Sequence, residues 1–239
     1  MTYRFEPIGI IRSPYREKFG IPRQPSLAAS ARSTLVLRTP YDHPDTVRGL
    51  ADFSHVWIQF VFHDTAARGW SSLVRPPRLG GNTRVGVFAS RSTHRPNPIG
   101  LSLVELVEVR TRNGVELILG GADLMDGTPV LDIKPYIPFV ESIPSARAGF
   151  VDGPPARLAV DWSGEALRQA SDLGLRREER ALIDEVLAQD PRPAYQDDPQ
   201  RHYGVTLFCY NVRFRIMNDK VEVLEILHDG QNYSPVRES

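Results

Sequence analysis

The chain has 239 residues, which is enough for one large domain or for a medium domain with a small companion. Hydrophobic residues make up 41% and charged residues 24%, and no uninterrupted apolar stretch approaches the roughly 18 residues of a membrane span. This composition predicts a globular protein and excludes an integral membrane protein. The single cysteine, Cys209, excludes an internal disulfide and a thiolate zinc site. The first residues lack the pattern of a secretory signal, so the cytoplasm is the expected compartment.

Positive charge is concentrated in the first part of the chain. Residues 1–100 contain 14 Arg and Lys against 6 Asp and Glu, although the whole chain has no net charge. Nearly all the cations are arginines, which bind phosphate bidentately and stack on bases. The composition is therefore compatible with a nucleic-acid partner. An arginine-rich proteome encoded by a GC-rich genome would leave the same composition.

Apolar segments separated by turn residues predict seven strands, at positions 3–12, 34–38, 54–63, 84–90, 101–110, 115–120 and 130–134. Asn113-Gly114 predicts a type I′ hairpin turn, which needs positive φ at both central residues. A Rossmann fold, the runner-up, would need helices of about ten residues between the strands, and no such segment is found. The pattern predicts a mainly β domain, residues 1–150, built as an antiparallel sheet or barrel.

The character of the sequence changes near residue 150. A stretch rich in proline and glycine precedes two amphipathic helical segments, 165–173 and 177–189, the first with Ser163 as its N-cap. Residues 205–217 and 221–227 predict a β-hairpin joined through Asn218-Asp219. A small α+β C-terminal domain, residues 151–239, is expected.

Three polar clusters are candidate functional segments. The first is residues 12–18 followed by 21–25, and it falls almost wholly in the loop 13–33, which is too long for a passive connection. Its prolines stiffen the backbone, and its basic and aromatic residues suit the stacking of a base and the neutralisation of phosphates. An ordinary solvated loop could have the same composition.

The second cluster is residues 91–100, where Asn97 lies between two prolines that hold its backbone extended. The exocyclic amine of a purine is a poor nucleophile because its lone pair is delocalised into the ring. An amide oxygen that accepts one N–H hydrogen bond localises this pair for attack. The alternative is a proline-rich turn in which Asn97 bonds only to local backbone.

The third cluster places Asp123, Asp126 and Asp132 within ten residues. Such carboxylates bind a metal, accept hydrogen bonds from ribose hydroxyls or pair with arginines, and Asp126 can equally belong to a simple turn. The histidines form no close metal-binding pair: His55 and His63 are separated by about 26 Å on an extended strand. We therefore expect no metal.

Six strings carry a wider pattern: IGIIRSPYREKFGIPRQP, GLADFSHVWIQFVFH, VRPPRLGG, GVFASRSTHRPNPIGLSLVEL, DLMDGTPVLDIKPY and AQDPRPAY. They resemble the TrmO (TsaA-like) family of tRNA methyltransferases, which use S-adenosylmethionine. The resemblance covers nearly the whole chain. It implies a β-barrel that lacks the Rossmann glycine motif, and a homodimer with the cofactor near its interface. It also implies methylation of N6 of threonylcarbamoyladenosine beside the anticodon of threonine tRNA, with the anticodon stem-loop as the bound partner.

Taken with the clusters, the resemblance implies site residues. Cofactor contacts are expected at Arg23, Gln24, His63, Asp64, Arg91, Leu101, Asp123, Leu124, Met125 and Asp126. Asn97 is expected to accept the N6–H bond, with Asp132 and Tyr195 as candidates for proton removal or substrate orientation. RNA contacts are expected at Arg12, Tyr15, Arg16, Lys18, Arg75, Arg78, Arg95 and Arg192.

Two other functions share these features. A non-catalytic tRNA-binding or regulatory protein on the same fold would bind RNA without being stabilised by S-adenosylmethionine. A small-molecule methyltransferase would bind the cofactor and ignore tRNA.

Overall fold

The computed structural model describes residues 2–80, 82–192, 198 and 200–230. The strands of the first part are β1 (Gly9–Arg12), β2 (Arg32–Leu37), β3 (His55–Val61), β4 (Leu73–Val74), β5 (Val85–Gly86), β6 (Ile99–Arg110), β7 (Glu116–Gly120) and β8 (Pro129–Pro135). Six of them close into an antiparallel barrel in the order β1-β2-β7-β6-β3-β8, and β4 and β5 form a separate hairpin. The prediction of a mainly β fold with an antiparallel barrel is confirmed, and the Rossmann alternative is wrong.

The barrel interior is filled by side chains, because every second side chain of each strand points inward. On β3 the buried side chains are Val56, Ile58 and Phe60, which alternate with partly exposed residues as the period of a strand requires. Phe60 lies opposite Gly100 on β6, and a Cβ at position 100 would collide with the Phe60 ring. Glycine at this position therefore lets the aromatic ring pack across the barrel wall.

Three connections meet at one end of the barrel, which we call the mouth. β1, β3 and β7 end there, and their antiparallel neighbours begin there. The first loop, residues 13–31, joins β1 to β2, and the acidic loop, residues 121–128, joins β7 to β8. The long connection, residues 62–98, joins β3 to β6 and ends in the proline loop, residues 90–98. The three polar clusters of the sequence are thus brought to the mouth, except for Asp132 within β8.

The remaining elements are α1 (His63–Ala66), α2 (Pro138–Glu141), β9 (Ala159–Trp162), α3 (Gly164–Asp172), α4 (Arg177–Leu187), β10 (Tyr203–Leu207), β11 (Tyr210–Met217) and β12 (Lys220–His228). The last four strands form a sheet in the order β10-β11-β12-β9, in which β9 is parallel to β12. The Ser163 hydroxyl caps α3 by accepting the Ala166 N–H at 3.0 Å, as predicted. The hydrophobic core under this sheet includes Tyr15, Ala28 and Ala31 of the first loop. The first loop is therefore built into the C-terminal part of the protein.

Several local predictions are wrong. The segment 84–90 is a strand only at Val85–Gly86 and then forms the 3-10 turn Val87–Ala89. The segment 205–217 is two strands, because the chain reverses at Phe208, whose φ is 57°. The β6–β7 turn is not type I′, since only Gly114 of its predicted central pair has positive φ.

The expected turn geometry occurs instead in the last hairpin. Asn218 and Asp219 have φ of 49° and 56° and join β11 to β12. The two helical segments are confirmed within a few residues at α3 and α4. Within the part of the chain that the structure describes, no helix has the length and apolar character needed to cross a bilayer.

Candidate active site at the barrel mouth

Asp126 fastens the first loop to the acidic loop. Its Oδ1 accepts the Ser13 N–H at 2.9 Å, and its Oδ2 accepts a hydrogen bond from the Arg16 guanidinium at 2.7 Å. Its own N–H donates to the Tyr15 carbonyl at 2.9 Å. Both carboxylate oxygens accept a hydrogen bond from the chain itself, so Asp126 braces the two loops, and its expected cofactor contact stays a prediction.

Arg91 and Gln24 join the proline loop to the first loop. The Arg91 guanidinium donates to Gln24 Oε1, and Gln24 Nε2 donates to the Arg23 carbonyl at 2.6 Å. Three residues predicted to contact the cofactor are therefore assembled from segments that are almost 70 positions apart. Arg23 and Arg91 are exposed, so both guanidinium groups face solvent at the mouth.

Asp123 is the most deeply placed carboxylate of the mouth. Ser102 on β6 points into the barrel end and donates its hydroxyl to Asp123 Oδ1 at 2.6 Å. Burial raises the pKa of Asp123, and the Ser102 hydrogen bond and the positive charge of Arg91 partly oppose this rise. The result is a recessed acceptor beside a guanidinium, an arrangement suited to an ammonium group or to ribose hydroxyls.

Ser102 was not predicted from the sequence. A serine at an inward-facing position of a strand needs a hydrogen-bond partner, and this rule is the signal that points to it. Leu124 and Met125 follow Asp123 in the acidic loop. Leu124 is buried in the barrel core, so only its backbone is available to a ligand.

The proline loop presents Asn97 to solvent. The Asn97 carbonyl accepts the Ile99 N–H at 2.7 Å, and the Pro98 carbonyl accepts the Phe62 N–H at 2.8 Å, which ties the loop to the end of β3. Arg95 Nη1 donates to the carbonyls of Val87 and Ser90 at 3.2 and 2.8 Å. The backbone around Asn97 is thus held from both sides, and its side-chain amide has no partner among the described residues.

Other predicted residues lie on the rim or outside of the barrel. His63 and Asp64 are exposed in α1, directly after β3. Leu101 is 52% exposed on the outer face of β6, opposite to the face that carries Ser102. Asp132 pairs with Lys134 at 3.0 Å on β8, beside Gln59 of β3. None of these four joins the mouth residues through a hydrogen bond or an ion pair in the described chain.

The cations predicted to contact RNA divide into two groups. Arg12, Lys18, Arg75 and Arg78 are exposed and make no ion pair with a described residue. Arg16, Arg95 and Arg192 are partly buried and bound by the chain: Arg192 donates to both oxygens of Asp190 at 2.8 Å. Arg16 and Arg95 brace the mouth loops, as described above.

The prediction that Tyr15 stacks on RNA is wrong. Its side chain is 1% exposed and lies in the core of the C-terminal part, where burial raises the pKa of the phenol. The predicted catalytic residue Tyr195 lies outside the described residues. Among those that are described, no three His, Cys, Asp or Glu side chains converge as a metal site.

Fold and site together define a closed antiparallel β-barrel protein outside the Rossmann class, with guanidinium, amide and carboxylate groups gathered at one end. Residues 10–142 match the family model of the tRNA-methyltransferase O N-terminal domain, and residues 155–229 match that of the TrmO C-terminal domain. The chain belongs to the TrmO family, which confirms the resemblance read from the sequence.

Individual relatives agree with this assignment. The chain is 54% identical over 230 residues to the "tRNA (adenine(37)-N6)-methyltransferase" of Escherichia coli (strain K12), covering 94% of this chain and 98% of that protein. It is 37% identical to a "Probable S-adenosyl-L-methionine-binding protein" of Pyrococcus abyssi, over 62% of this chain and 76% of that protein. The crystal structure of TrmO from Pseudomonas aeruginosa superposes with a TM-score of 0.79 at 43% identity, covering 95% of this chain and 99% of that one.

Proposed function

We propose that this protein is an S-adenosylmethionine-dependent tRNA (adenine(37)-N6)-methyltransferase, the activity for which its Escherichia coli relative is named. The observation that carries the proposal is the likeness to that enzyme along nearly the full length of both chains. The mouth, with its exposed amide beside guanidinium and carboxylate groups, supports the same activity.

The residues at the mouth fit the cofactor. S-adenosylmethionine carries a carboxylate, an ammonium group and an adenosine, and when bound it supplies an electrophilic methyl group on a sulfonium. Arg23, Gln24 and Arg91 offer donors for the carboxylate, and Asp123 offers an acceptor for the ammonium group or the ribose. Leu101 offers an apolar contact. Further contacts at the rim are proposed for His63, Asp64 and the backbone of Leu124 and Met125.

Asn97 is the proposed catalytic residue. Its Oδ1 accepts a hydrogen bond from N6–H of the target adenine and thereby directs the nitrogen lone pair toward the mouth. Catalysis then comes chiefly from positioning, because the nitrogen must lie about 3–3.5 Å from the carbon that it attacks, with its lone pair aligned. The amine proton becomes acidic once the new bond forms, so a weak acceptor suffices. Asp132 and Tyr195 stay proposed for this proton or for substrate orientation.

We propose threonylcarbamoyladenosine at position 37 of threonine tRNA as the substrate and its N6-methyl derivative as the product. The threonyl substituent carries a carboxylate, and the exposed arginines of the mouth suit it. Arg12, Lys18, Arg75 and Arg78 are available for phosphates of the anticodon stem-loop. We also propose a cytoplasmic location, in keeping with a tRNA substrate.

A homodimer is part of the proposal. Ile99 and Leu101 form an exposed apolar band on the outer face of β6, and such bands are common where subunits meet. Leu101 is itself a proposed cofactor contact, so an interface over this band would place a second copy beside the cofactor. We further propose that residues 1–150 bind the cofactor and catalyse the reaction, and that residues 151–239 form a small α+β domain.

One experiment tests this function. The protein is incubated with labelled S-adenosylmethionine and threonine tRNA that either carries or lacks the threonylcarbamoyl group, and the nucleosides are separated by mass. Methyl transfer to the modified tRNA alone is expected. Transfer to unmodified adenosine would refute the substrate, and the absence of transfer despite thermal stabilisation by the cofactor would refute the activity.

A further inference from the structure

The long connection carries a basic hairpin with two exposed aromatic rings at its base. Residues 65–98 contain six arginines and no acidic residue. Trp70 precedes β4 and is 59% exposed, and Phe88 follows β5 and is 77% exposed. We call Trp70, β4, β5 and Phe88 the aromatic hairpin. Two large rings left in solvent beside unpaired cations form a surface that a partner can cover.

The aromatic hairpin is attached firmly to the proline loop that presents Asn97. The Ser71 N–H, next to Trp70, donates to the His94 carbonyl of the proline loop at 3.3 Å. Within the hairpin, the Val87 N–H, next to Phe88, donates to the Ser72 carbonyl at 3.0 Å and joins its two ends. These bonds place both rings beside the same short segment. A ligand held by the rings is therefore held at a defined position relative to Asn97.

One face of Phe88 already has a cation against it. The Arg95 guanidinium carbon lies 5.8 Å from the centre of the Phe88 ring, within the range of a cation–π contact. The same guanidinium donates to the carbonyls of Val87 and Ser90, so it fixes the turn that carries the ring. Phe88 is thus braced on one side and open on the other, which is the form of a stacking surface.

The charge around the rings indicates the partner. Arg75, Arg78 and Arg84 are exposed on or beside the hairpin, and none of them pairs with an acid among the described residues. Cations interleaved with aromatic rings are how proteins bind single-stranded nucleic acid, with phosphates neutralised and bases stacked. A second copy of the chain fits less well, because a symmetric interface would bring this arginine patch against itself.

We propose that Trp70 and Phe88 stack on the unpaired anticodon-loop bases that flank the target adenosine, while Arg75, Arg78 and Arg84 contact the phosphates of the same loop. This inference rests on the proposed function and names two residues of its RNA site. The stacked neighbours keep the loop in register while the target base is drawn toward Asn97. The rings act through binding and positioning of the RNA and take no part in holding the cofactor.

The test compares Trp70→Ala and Phe88→Ala with the ring-retaining variants Trp70→Phe and Phe88→Tyr. The dissociation constant for threonine tRNA carrying the threonylcarbamoyl group is measured over a range of salt concentrations. Each alanine variant is expected to weaken binding about 5- to 150-fold, the value of one stacked base. The ring-retaining variants should recover most of this loss. The salt dependence should stay unchanged in all four variants, whereas Arg78→Gln should lower its slope by about one.

Phe5→Ala is the matched control. Phe5 is 69% exposed and precedes β1, so it lies toward the barrel end opposite the mouth. Its substitution should leave RNA affinity unchanged. Unchanged RNA affinity in the alanine variants at positions 70 and 88 would overturn the inference. So would a shift toward monomer in sedimentation, which would assign the rings to an interface between copies, or an equal loss of cofactor-induced stabilisation.

Failure of the inference is distinguishable from failure of the proposed function. The wild-type protein provides the reference for methyl transfer, and the variants are compared by RNA binding. A wild-type protein that binds the tRNA but transfers no methyl group would refute the function and leave the stacking measurement valid.

Discussion

Glu185 in α4 accepts two hydrogen bonds from Ser30 in the first loop, one from its backbone N–H at 2.9 Å and one from its hydroxyl at 3.0 Å. Further hydrogen bonds join the same loop to the C-terminal part: Gln189 Nε2 to the Leu27 carbonyl at 3.4 Å, the Thr206 N–H to Glu17 Oε1 at 2.7 Å, and the Phe208 N–H to the Pro14 carbonyl at 2.8 Å. The loop that carries Arg23 and Gln24 is therefore shaped by residues far along the chain.

Glu185→Ala should weaken cofactor binding more than it weakens the fold. Loss of the two acceptor oxygens frees Ser30 and loosens the loop. We expect this to weaken binding of S-adenosylmethionine by about 1–2 kcal/mol, or about 5- to 30-fold in affinity. Titration of S-adenosylmethionine by calorimetry measures the effect. Glu178→Ala, at an exposed position of the same helix, is the control. Unchanged affinity with a lowered melting temperature would mean that the bond serves stability alone.

Asn97→Ala should abolish most methyl transfer while leaving cofactor binding intact. The amide has no partner in the described chain, so its removal leaves no buried group unsatisfied and the fold should be unaffected. Removal of a positioned hydrogen-bonding group in proton chemistry costs about 100-fold or more in rate. Single-turnover kinetics measures this loss, with Asn113→Ala at the opposite end of the barrel as the control. An unchanged rate would remove Asn97 from the mechanism.

Asp123→Asn should weaken cofactor binding without lowering the stability of the fold at neutral pH. Burial raises the pKa of Asp123, so the folded protein holds this proton more tightly than the unfolded chain. The stability of the native protein therefore falls as pH rises from the ordinary aspartate pKa through the raised one. The asparagine variant lacks this loss, so at neutral pH it should be as stable as the native protein or more stable.

The same variant should lose part of the thermal stabilisation that S-adenosylmethionine provides, since the neutral amide lacks the negative charge that attracts an ammonium group. Melting temperatures from about pH 4 to about pH 8, with and without the cofactor, measure both effects. Asp52→Asn, exposed at the opposite end of the barrel, serves as the control. Retained stabilisation in Asp123→Asn would contradict an ionic contact between Asp123 and the ammonium group.

Tyr15→Phe should keep tRNA affinity and hold or raise stability. The Tyr15 hydroxyl is buried with no hydrogen-bond partner among the described residues, and an unsatisfied buried hydroxyl costs about 1–3 kcal/mol. Tyr15→Ala, by contrast, should lower the free energy of unfolding by about 3–5 kcal/mol, because it empties the core. Urea unfolding measures both changes. A specific loss of RNA binding in Tyr15→Phe would contradict the buried placement.

The strand pattern was predictable because alternation of buried and exposed residues is local, as on β3. The helix cap at Ser163 was predictable for the same reason. The burial of the Tyr15 side chain was not predictable, because its packing partners lie on β10 and α4, almost the full length of the chain away. A tyrosine among arginines has the same local pattern whether it faces RNA or a distant core.

The sequence by itself determined the barrel class, the concentration of arginine in the first hundred residues and the stiff backbone around Asn97, because these depend on periodicity, composition and proline geometry. Only the tertiary structure decided which polar groups hold the loops together by hydrogen bonds and which stay available to a ligand. Asp126 binds Arg16 across 110 positions, and Ser102 sets Asp123 at the mouth. Such pairings form only when the barrel closes, since closure brings the ends of distant strands to the same place.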